Sequence, residues 1–331
     1  MSKLSLPFVN PLTKNPLKSE QSGNKIIYTD KEGIRFVNTD GIPDFTFPKI
    51  LETRDKKAKE FYDGRAEAYD KFLHLTFKTY SQNERQCREE FIDALELKPN
   101  NKVLEIASGT GRDSELIADR LNEKGEFFLQ DISPNMLKRC IEKLKDKKVK
   151  KHYCISNAMH LPFPDKYFDA TYSFGALGEF SNIKQALAEM VRVTKVGGKI
   201  VVGDESMPPW LRDTEFCKIL YATNPQFAAE LPLKEMPVEA RDFRLRWVIG
   251  GVFYLIDFRV GEAQPPADFD FVIPGERGGT YRTRYEGQLE GVSAETKKLA
   301  WETVRKKGVS MHDWLDDLVK KEAKNYLGKK K

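Results

Sequence analysis

Glu105, Gly109, Gly111 and Asp131 are residues whose types and spacing suit the capture of a nucleoside. The run Val103-Leu-Glu-Ile-Ala-Ser-Gly-Thr-Gly-Arg-Asp113 sets an acid near the end of an apolar segment, with two glycines close behind it. A turn lacking Cβ atoms lets the backbone approach a ligand closely and reach φ angles that other residues avoid. The helix start that follows offers free N–H groups to an anion. Asp131 comes roughly 20 residues after Gly111, the spacing at which an acid in a nucleotide-binding α/β fold accepts both ribose hydroxyls.

These residues need a strand-turn-helix unit to position them. The pattern predicts a buried strand over Lys102–Ile106, a tight turn over Ala107–Gly111, and a helix over Asp113–Leu121 with Leu116, Ile117 and Leu121 facing inward. A second strand, Glu126–Gln130, ends at Asp131. A nicotinamide dehydrogenase is the nearest competing reading, but it calls for a glycine three residues after Gly111, where Ser114 stands. Arg112, at the helix start, is placed to pair with a ligand carboxylate.

The stretch Glu105-Ile-Ala-Ser-Gly-Thr-Gly111 resembles the first motif of the class I S-adenosylmethionine-dependent methyltransferases, departing from it at Ala107, where the family usually has its first glycine. Asn157-Ala-Met-His-Leu-Pro-Phe-Pro-Asp-Lys-Tyr-Phe-Asp169 is similar to a second block of that family, and Val196–Gly203 to its fifth strand, with Gly197-Gly198 as the break before it. Tyr62–Tyr69 resembles the segment that closes over the cofactor in small-molecule methyltransferases of the quinone-modifying type. The resemblance runs from Tyr62 to Gly203 and implies S-adenosyl-L-methionine as cofactor. It puts Glu105, Ala107, Gly109, Gly111, Arg112, Asp131, Ile132, Met136, Asn157, Ala158 and Ser173 around that cofactor, with Asn157 and Ala158 at the adenine. Tyr69 either shields the sulfonium with its ring face or packs in the core.

Methyl transfer from a sulfonium is an in-line displacement, which needs a base only if the acceptor must lose a proton. Candidate bases are Asp204 and Glu205, at the end of the fifth strand, and His160, with Glu179 as an outsider. A structural role competes for each. Trp210, just beyond that strand, and the paired arginines Arg282 and Arg284 are candidate substrate contacts; the arginines suit an anionic group on the acceptor, or else guard a solvated edge strand.

The fold expected is α/β: a Rossmann-like, doubly wound, seven-stranded and mostly parallel sheet with an antiparallel last strand. Residues 1–50 read as a small separate arm, with a hairpin over Lys25–Tyr28 and Ile34–Val37. Its close, Asp40-Gly-Ile-Pro-Asp-Phe45, resembles that of a zinc-knuckle segment found before some bacterial methyltransferases, but without the knuckle's cysteines, leaving a metal-free remnant or a surface arm. Residues 51–98 form a helical cap of two helices. Residues 99–260 form the cofactor-binding core, with a lid insertion over 205–242 and a terminal hairpin about Gly250-Gly251. Residues 261–331 add a strand pair over Asp268–Ile273 and Thr280–Glu286, joined by the loop Pro274–Gly279, and two helices.

Lys and Arg total 55 against 50 Asp and Glu, a net charge of +5 that is too small to imply nucleic acid binding without a clustered patch. Cys87, Cys140, Cys154 and Cys217 are widely spaced and lie outside any metal-ligand pattern, so they read as free thiols in a reducing cytoplasm. No window approaches the apolar length of a membrane span. A small-molecule methyltransferase is the first functional expectation. An RNA methyltransferase and a methyltransferase-like protein that binds the cofactor without methylating are the alternatives.

Overall fold

The structure is a computed structural model that describes residues 7–23, 25–274, 279–287, 289 and 291–328. It comprises two units, Met1–Pro265 and Pro266–Lys331. In the first, four short strands, β1 (Lys18–Ser22), β2 (Lys25–Thr29), β3 (Arg35–Thr39) and β4 (Ile42–Asp44), precede three helices, α1 (Thr53–Phe72), α2 (His74–Thr79) and α3 (Glu84–Asp93). Strands and helices then alternate: β5 (Lys102–Ile106), α4 (Arg112–Arg120), β6 (Glu126–Asp131), α5 (Pro134–Lys143), β7 (Lys150–Ile155), β8 (Phe168–Phe174), α6 (Ile183–Val193) and β9 (Thr194–Glu205). After α7 (Glu215–Thr223), the hairpin β10 (Ala240–Val248) and β11 (Phe253–Val260) completes the unit.

All eleven of these strands form one sheet, in the order β1-β2-β3-β4-β7-β6-β5-β8-β9-β11-β10. The seven from β7 to β10 are the expected core: β7, β6, β5, β8 and β9 run parallel, and β11 lies antiparallel between β9 and β10. Val103, Leu104 and Ile106 on β5 and Phe127, Phe128 and Leu129 on β6 are fully buried, as strands covered by helices on both faces require. Strand order reverses between β5 and β8, the switch point where open α/β sheets bind ligands. Ser133 and Asn182 start α5 and α6 by accepting the backbone N–H groups of Met136 and Gln185.

The N-terminal residues depart from the expected separate arm. The β2–β3 hairpin forms, but β4 continues it onto the main sheet by pairing parallel to β7 at Asp44 and Ile155. Phe8, Tyr28, Phe36 and Phe45 share the buried core with Phe128, Phe163 and Phe168, and the rings of Phe8 and Phe45 lie 4.6 Å apart. The cap has three helices rather than two, and β9 starts at Thr194 and runs through Gly197-Gly198 without a break.

The second unit holds α8 (Tyr281–Glu286), α9 (Ala294–Lys307) and α10 (Met311–Gly328), with Ala300, Val304 and Met311 buried beside Trp301, Trp314 and Leu315. The expected strand pair is absent among its described residues. Thr280 caps a helix instead, accepting the N–H of Thr283 at 3.1 Å, and this local bond outweighs the alternating pattern of residues 280–286. Within the loop expected between those strands, residues 275–278 lie outside the described residues. Among the described residues, no helix is long and apolar enough to cross a membrane.

Candidate active site

The carboxyl ends of β5, β6, β7, β8 and β9 open into a cavity of about 520 Å³, roofed by α1 and by residues following α7. The glycine-rich turn takes its shape from left-handed residues, Gly109 at φ 55° and Gly111 at φ 86°, and Ala107 shares that region at φ 54°. A Cβ on Gly111 would stand 2.8 Å from the Cys140 sulfur, so close packing of the turn on α5 fixes glycine there. Glu105 is buried beneath the turn and accepts the Ser114 hydroxyl at 2.5 Å; burial foremost, then Asp113, pushes its pKa well up. Asp131 accepts the Gly109 N–H at 2.8 Å with one oxygen and the Ser133 N–H at 2.8 Å with the other. Burial pushes the Asp131 carboxyl up to about 6, against the pull of those backbone bonds. Ile132, Met136, Asn157 and Ala158 continue the wall.

Acids and amides gather at the other end of the cavity. Asp204 accepts the Gly178 N–H at 2.6 Å and the Glu205 N–H at 2.9 Å. Burial, reinforced by Glu205 next to it, holds Asp204 well above the usual carboxylate range. Glu179 accepts Gln226 at 2.7 Å and the Tyr62 hydroxyl at 3.4 Å, while Asn224 donates to Glu205 at 3.5 Å. Tyr62 and Tyr69 line the roof from α1, and burial pushes Tyr69 up to about 12, which keeps it a neutral phenol.

Of the residues expected around the cofactor, Tyr69, Glu105, Ala107, Gly109, Arg112, Asp131, Ile132, Met136, Asn157 and Ala158 line this cavity. Gly111 and Ser173 do not: Gly111 starts α4, and Ser173 is buried within β8. Arg112 is already engaged, its guanidinium held by Asp70 at 3.0 Å and by Glu84 at 2.5 Å. Asp204 and Glu205 line the cavity, whereas His160 lies outside it with its ring edge-on to Phe47 at 5.0 Å. Trp210 is also outside, 68% exposed and set against Trp247. Arg282 belongs to the second unit, where it pairs with Asp270, and Arg284 lies on the same helix, α8.

Several lining residues carried no usable sequence signal. Asp55 and Arg65 come from α1, Gln130 from β6, and Thr223, Asn224 and Gln226 from the insertion after β9. Arg88 is buried against Asp113 at 2.6 Å. Its only trace in the sequence was a place four residues after Glu84, the spacing of a helical ion pair.

Residues 50–224 match the ubiE/COQ5 methyltransferase family. The chain belongs to that family. Among its relatives is the ubiquinone/menaquinone biosynthesis C-methyltransferase of Cupriavidus pinatubonensis, 42% identical over 167 residues, or 48% of this chain and 64% of that protein. The enzyme of the same name from Cupriavidus necator is 40% identical over the same shares, and that of Proteus mirabilis is 41% identical over 41% of this chain and 51% of its own. The chain thus spans less than two thirds of the length of these relatives. The family match covers the cap, the glycine-rich turn and most of the wall of the cavity, and stops at Asn224, before the lining residues Gln226, Ile249 and Phe253 and before the second unit.

Proposed function

We propose that this chain transfers a methyl group from S-adenosylmethionine to a small acceptor held between Tyr62, Glu179 and Glu205. The observation that carries the reading is a single cavity joining the Gly109–Asp131 pair at one end to Asp204 and Glu205 at the other. Its residues fit the cofactor: a Cβ-free turn at Gly109, an acid at Asp131 for the ribose hydroxyls, Asn157 for the adenine, and apolar Ile132, Met136 and Ala158 about the rings. When bound, S-adenosylmethionine supplies a methyl group on a positively charged sulfur.

The protein's residues do the rest. Tyr62 and Tyr69 border the cavity and help close it against water, and an aromatic ring beside a sulfonium attracts its positive charge. Asp204 fixes the Glu205 backbone by accepting that N–H. The Glu205 carboxylate is the group placed to take a proton from the acceptor. The names of the relatives favour carbon methylation in quinone biosynthesis. Three carboxyl groups at the acceptor end favour a neutral or cationic acceptor over an anionic one.

Calorimetric titration with S-adenosylmethionine and S-adenosylhomocysteine, with NAD as control and Asp131→Ala as the variant, tests the cofactor. Label transfer from methyl-labelled cofactor to hydroxylated aromatic acceptors tests the reaction. Glu205→Gln is expected to cut turnover by about 100-fold or more while leaving cofactor affinity within about twofold. Binding without label transfer to any acceptor would favour a non-methylating role, and RNA binding that weakens steeply with salt would favour a nucleic acid substrate.

A further inference from the structure

We infer that the acceptor is a protonated amine on an apolar body, seated with its ammonium among Glu179, Asp204 and Glu205, and that the methyl group goes to its nitrogen. The inference rests on the reading of the cavity as a methyl-transfer site and names the class of its acceptor.

The three carboxyl groups reach one end of the cavity from the segment after β8 and from the end of β9. They converge on the Tyr62 hydroxyl, whose pKa burial foremost, then Tyr69, Glu179, Glu205 and Asp204, raise. Among the described residues none of the three forms an ion pair. The arginines that line the cavity are engaged elsewhere: Arg88 with Asp113, Arg112 with Asp70 and Glu84, and Arg65 over the Phe61 ring at 4.5 Å. Outside the cavity, buried Asp257 holds Lys199 at 2.6 Å, and buried Glu189 holds Arg192 at 2.6 Å and Lys14 at 2.9 Å. Acids shut away from water need such a counter-charge, and at this end the chain leaves it to the ligand. The carboxyls of Asp204 and Glu205 lie within hydrogen-bond reach of each other, so a cation beside them relieves the repulsion of two like charges. Among the described residues no group of three or more acids, histidines or cysteines is placed to hold a metal ion, which makes the cation an organic one.

Hydrogen-bonding capacity gives the same answer independently of charge. The protein donors at this end are already engaged, Tyr62 and Gln226 on Glu179, Asn224 on Glu205, and the Gly178 and Glu205 N–H groups on Asp204. What the carboxylates still offer is lone pairs, and a ligand meets them only by donating. A hydroxyl brings one donor, whereas an ammonium brings three. Leu73, Phe77, Phe174, Ile249 and Phe253 wall the same end, and the rings of Phe174 and Phe253 lie within 17° of parallel. They suit an apolar body, and a ring face beside an ammonium adds attraction. Gln226, Ile249 and Phe253 lie beyond the family match, so this chain builds its acceptor end partly from residues of its own.

Glu205 takes one proton from the ammonium and frees the nitrogen lone pair. The bond from nitrogen to the methyl carbon forms as the carbon–sulfur bond breaks, with that electron pair left on sulfur. The positive charge lost by sulfur reappears on the methylated nitrogen, where Glu179 stands ready to hold it.

The test is calorimetry on the full chain saturated with S-adenosylhomocysteine, titrated with phenethylamine, tryptamine and hexylamine, each against the alcohol of the same skeleton. Label transfer from methyl-labelled S-adenosylmethionine to the same amines and to hydroquinone follows. At least one amine is expected to bind about 100-fold more tightly than its alcohol and to carry the label on nitrogen. Glu179→Gln should weaken that amine about tenfold while leaving the alcohol and S-adenosylhomocysteine within about twofold. Amines that bind no better than their alcohols, a Glu179→Gln chain with undiminished amine affinity, or label on the carbon of hydroquinone with none on any amine would overturn the amine assignment and leave methyl transfer standing. Failure of the wild-type chain to bind S-adenosylhomocysteine would overturn the methyl-transfer reading itself, and the amine assignment with it.

Discussion

Asp131→Asn is expected to raise the stability of the ligand-free protein at neutral pH and to cost it the cofactor. Burial lifts the Asp131 carboxyl from its ordinary 3.8 to about 6. At ~1.4 kcal/mol per pH unit, keeping it ionised in the fold costs about 3 kcal/mol at neutral pH. The folded-state pKa lies above the unfolded one, so the folded chain holds the proton more tightly. The penalty is therefore complete above about pH 6, shrinks as pH falls through 6, and is gone below the unfolded value of 3.8. Asparagine removes the penalty but has a single acceptor oxygen, so it keeps only one of the Gly109 and Ser133 N–H groups and sets its NH2 against the other; that buried unpaired donor returns about 1–3 kcal/mol and leaves a net gain of at most about 2 kcal/mol. The ionised form is the one that binds two ribose hydroxyls, so wild-type affinity for S-adenosylhomocysteine should fall about tenfold between pH 7 and pH 5. Thermal unfolding of both proteins across that range, with calorimetry at each pH, measures the two effects together. An Asp131→Asn protein that melts below wild type at neutral pH, or a wild-type affinity flat down to pH 5, would refute the reasoning.

Ala107 holds a left-handed backbone at φ 54°, a conformation that costs a Cβ-bearing residue about 1–2 kcal/mol, and glycine's greater freedom when unfolded cancels part of that. Ala107→Gly should therefore stabilise the chain by up to ~1 kcal/mol in urea unfolding, with cofactor affinity kept. Asp257 is fully buried and holds the nearly buried Lys199 ammonium at 2.6 Å and Arg244 at 2.8 Å. Asp257→Ala leaves that lysine charged and poorly compensated and should cost about 3–5 kcal/mol, read as a shift of the denaturant midpoint.

The parts of the site legible in the sequence are those built by neighbours along the chain. Glu105, Gly109, Gly111 and Asp131 lie at strand ends where an apolar run, a turn and a helix start occur within a few residues, so their pattern and their geometry coincide. The Gly250-Gly251 hairpin was legible for the same reason, and β10 and β11 pair across it. His160 shows the limit of that logic: it lies inside the second family block, yet its ring packs on Phe47 and stays outside the cavity. Residues 280–286 show another limit, since their alternation of Arg with Tyr and Thr is a strand pattern that the Thr280 cap overrides. Asp55, Asp63 and Asp70 had no pattern to betray them. They read as ordinary solvated charges, and only the loops brought beneath them by the sheet give them partners.

The N-terminal strands show why the chain needs more than the sheet common to nucleotide-binding folds. Without β4, strand β7 would be an edge, with Ile155 and the following Asn157 at a frayed boundary. The Phe45 N–H donates to the Ile155 carbonyl at 2.8 Å, and the Phe45 ring packs on Phe8, Tyr28 and Phe36 in the buried core. From Phe45 the chain passes through a few bent residues to Asp55, which bonds Asn157 from above. The same short segment thus closes the sheet edge next to Asn157 and delivers Asp55 of α1 over it. Both walls of the cavity at that end depend on a segment that begins before the family match, so the N-terminal strands belong to the architecture of the site.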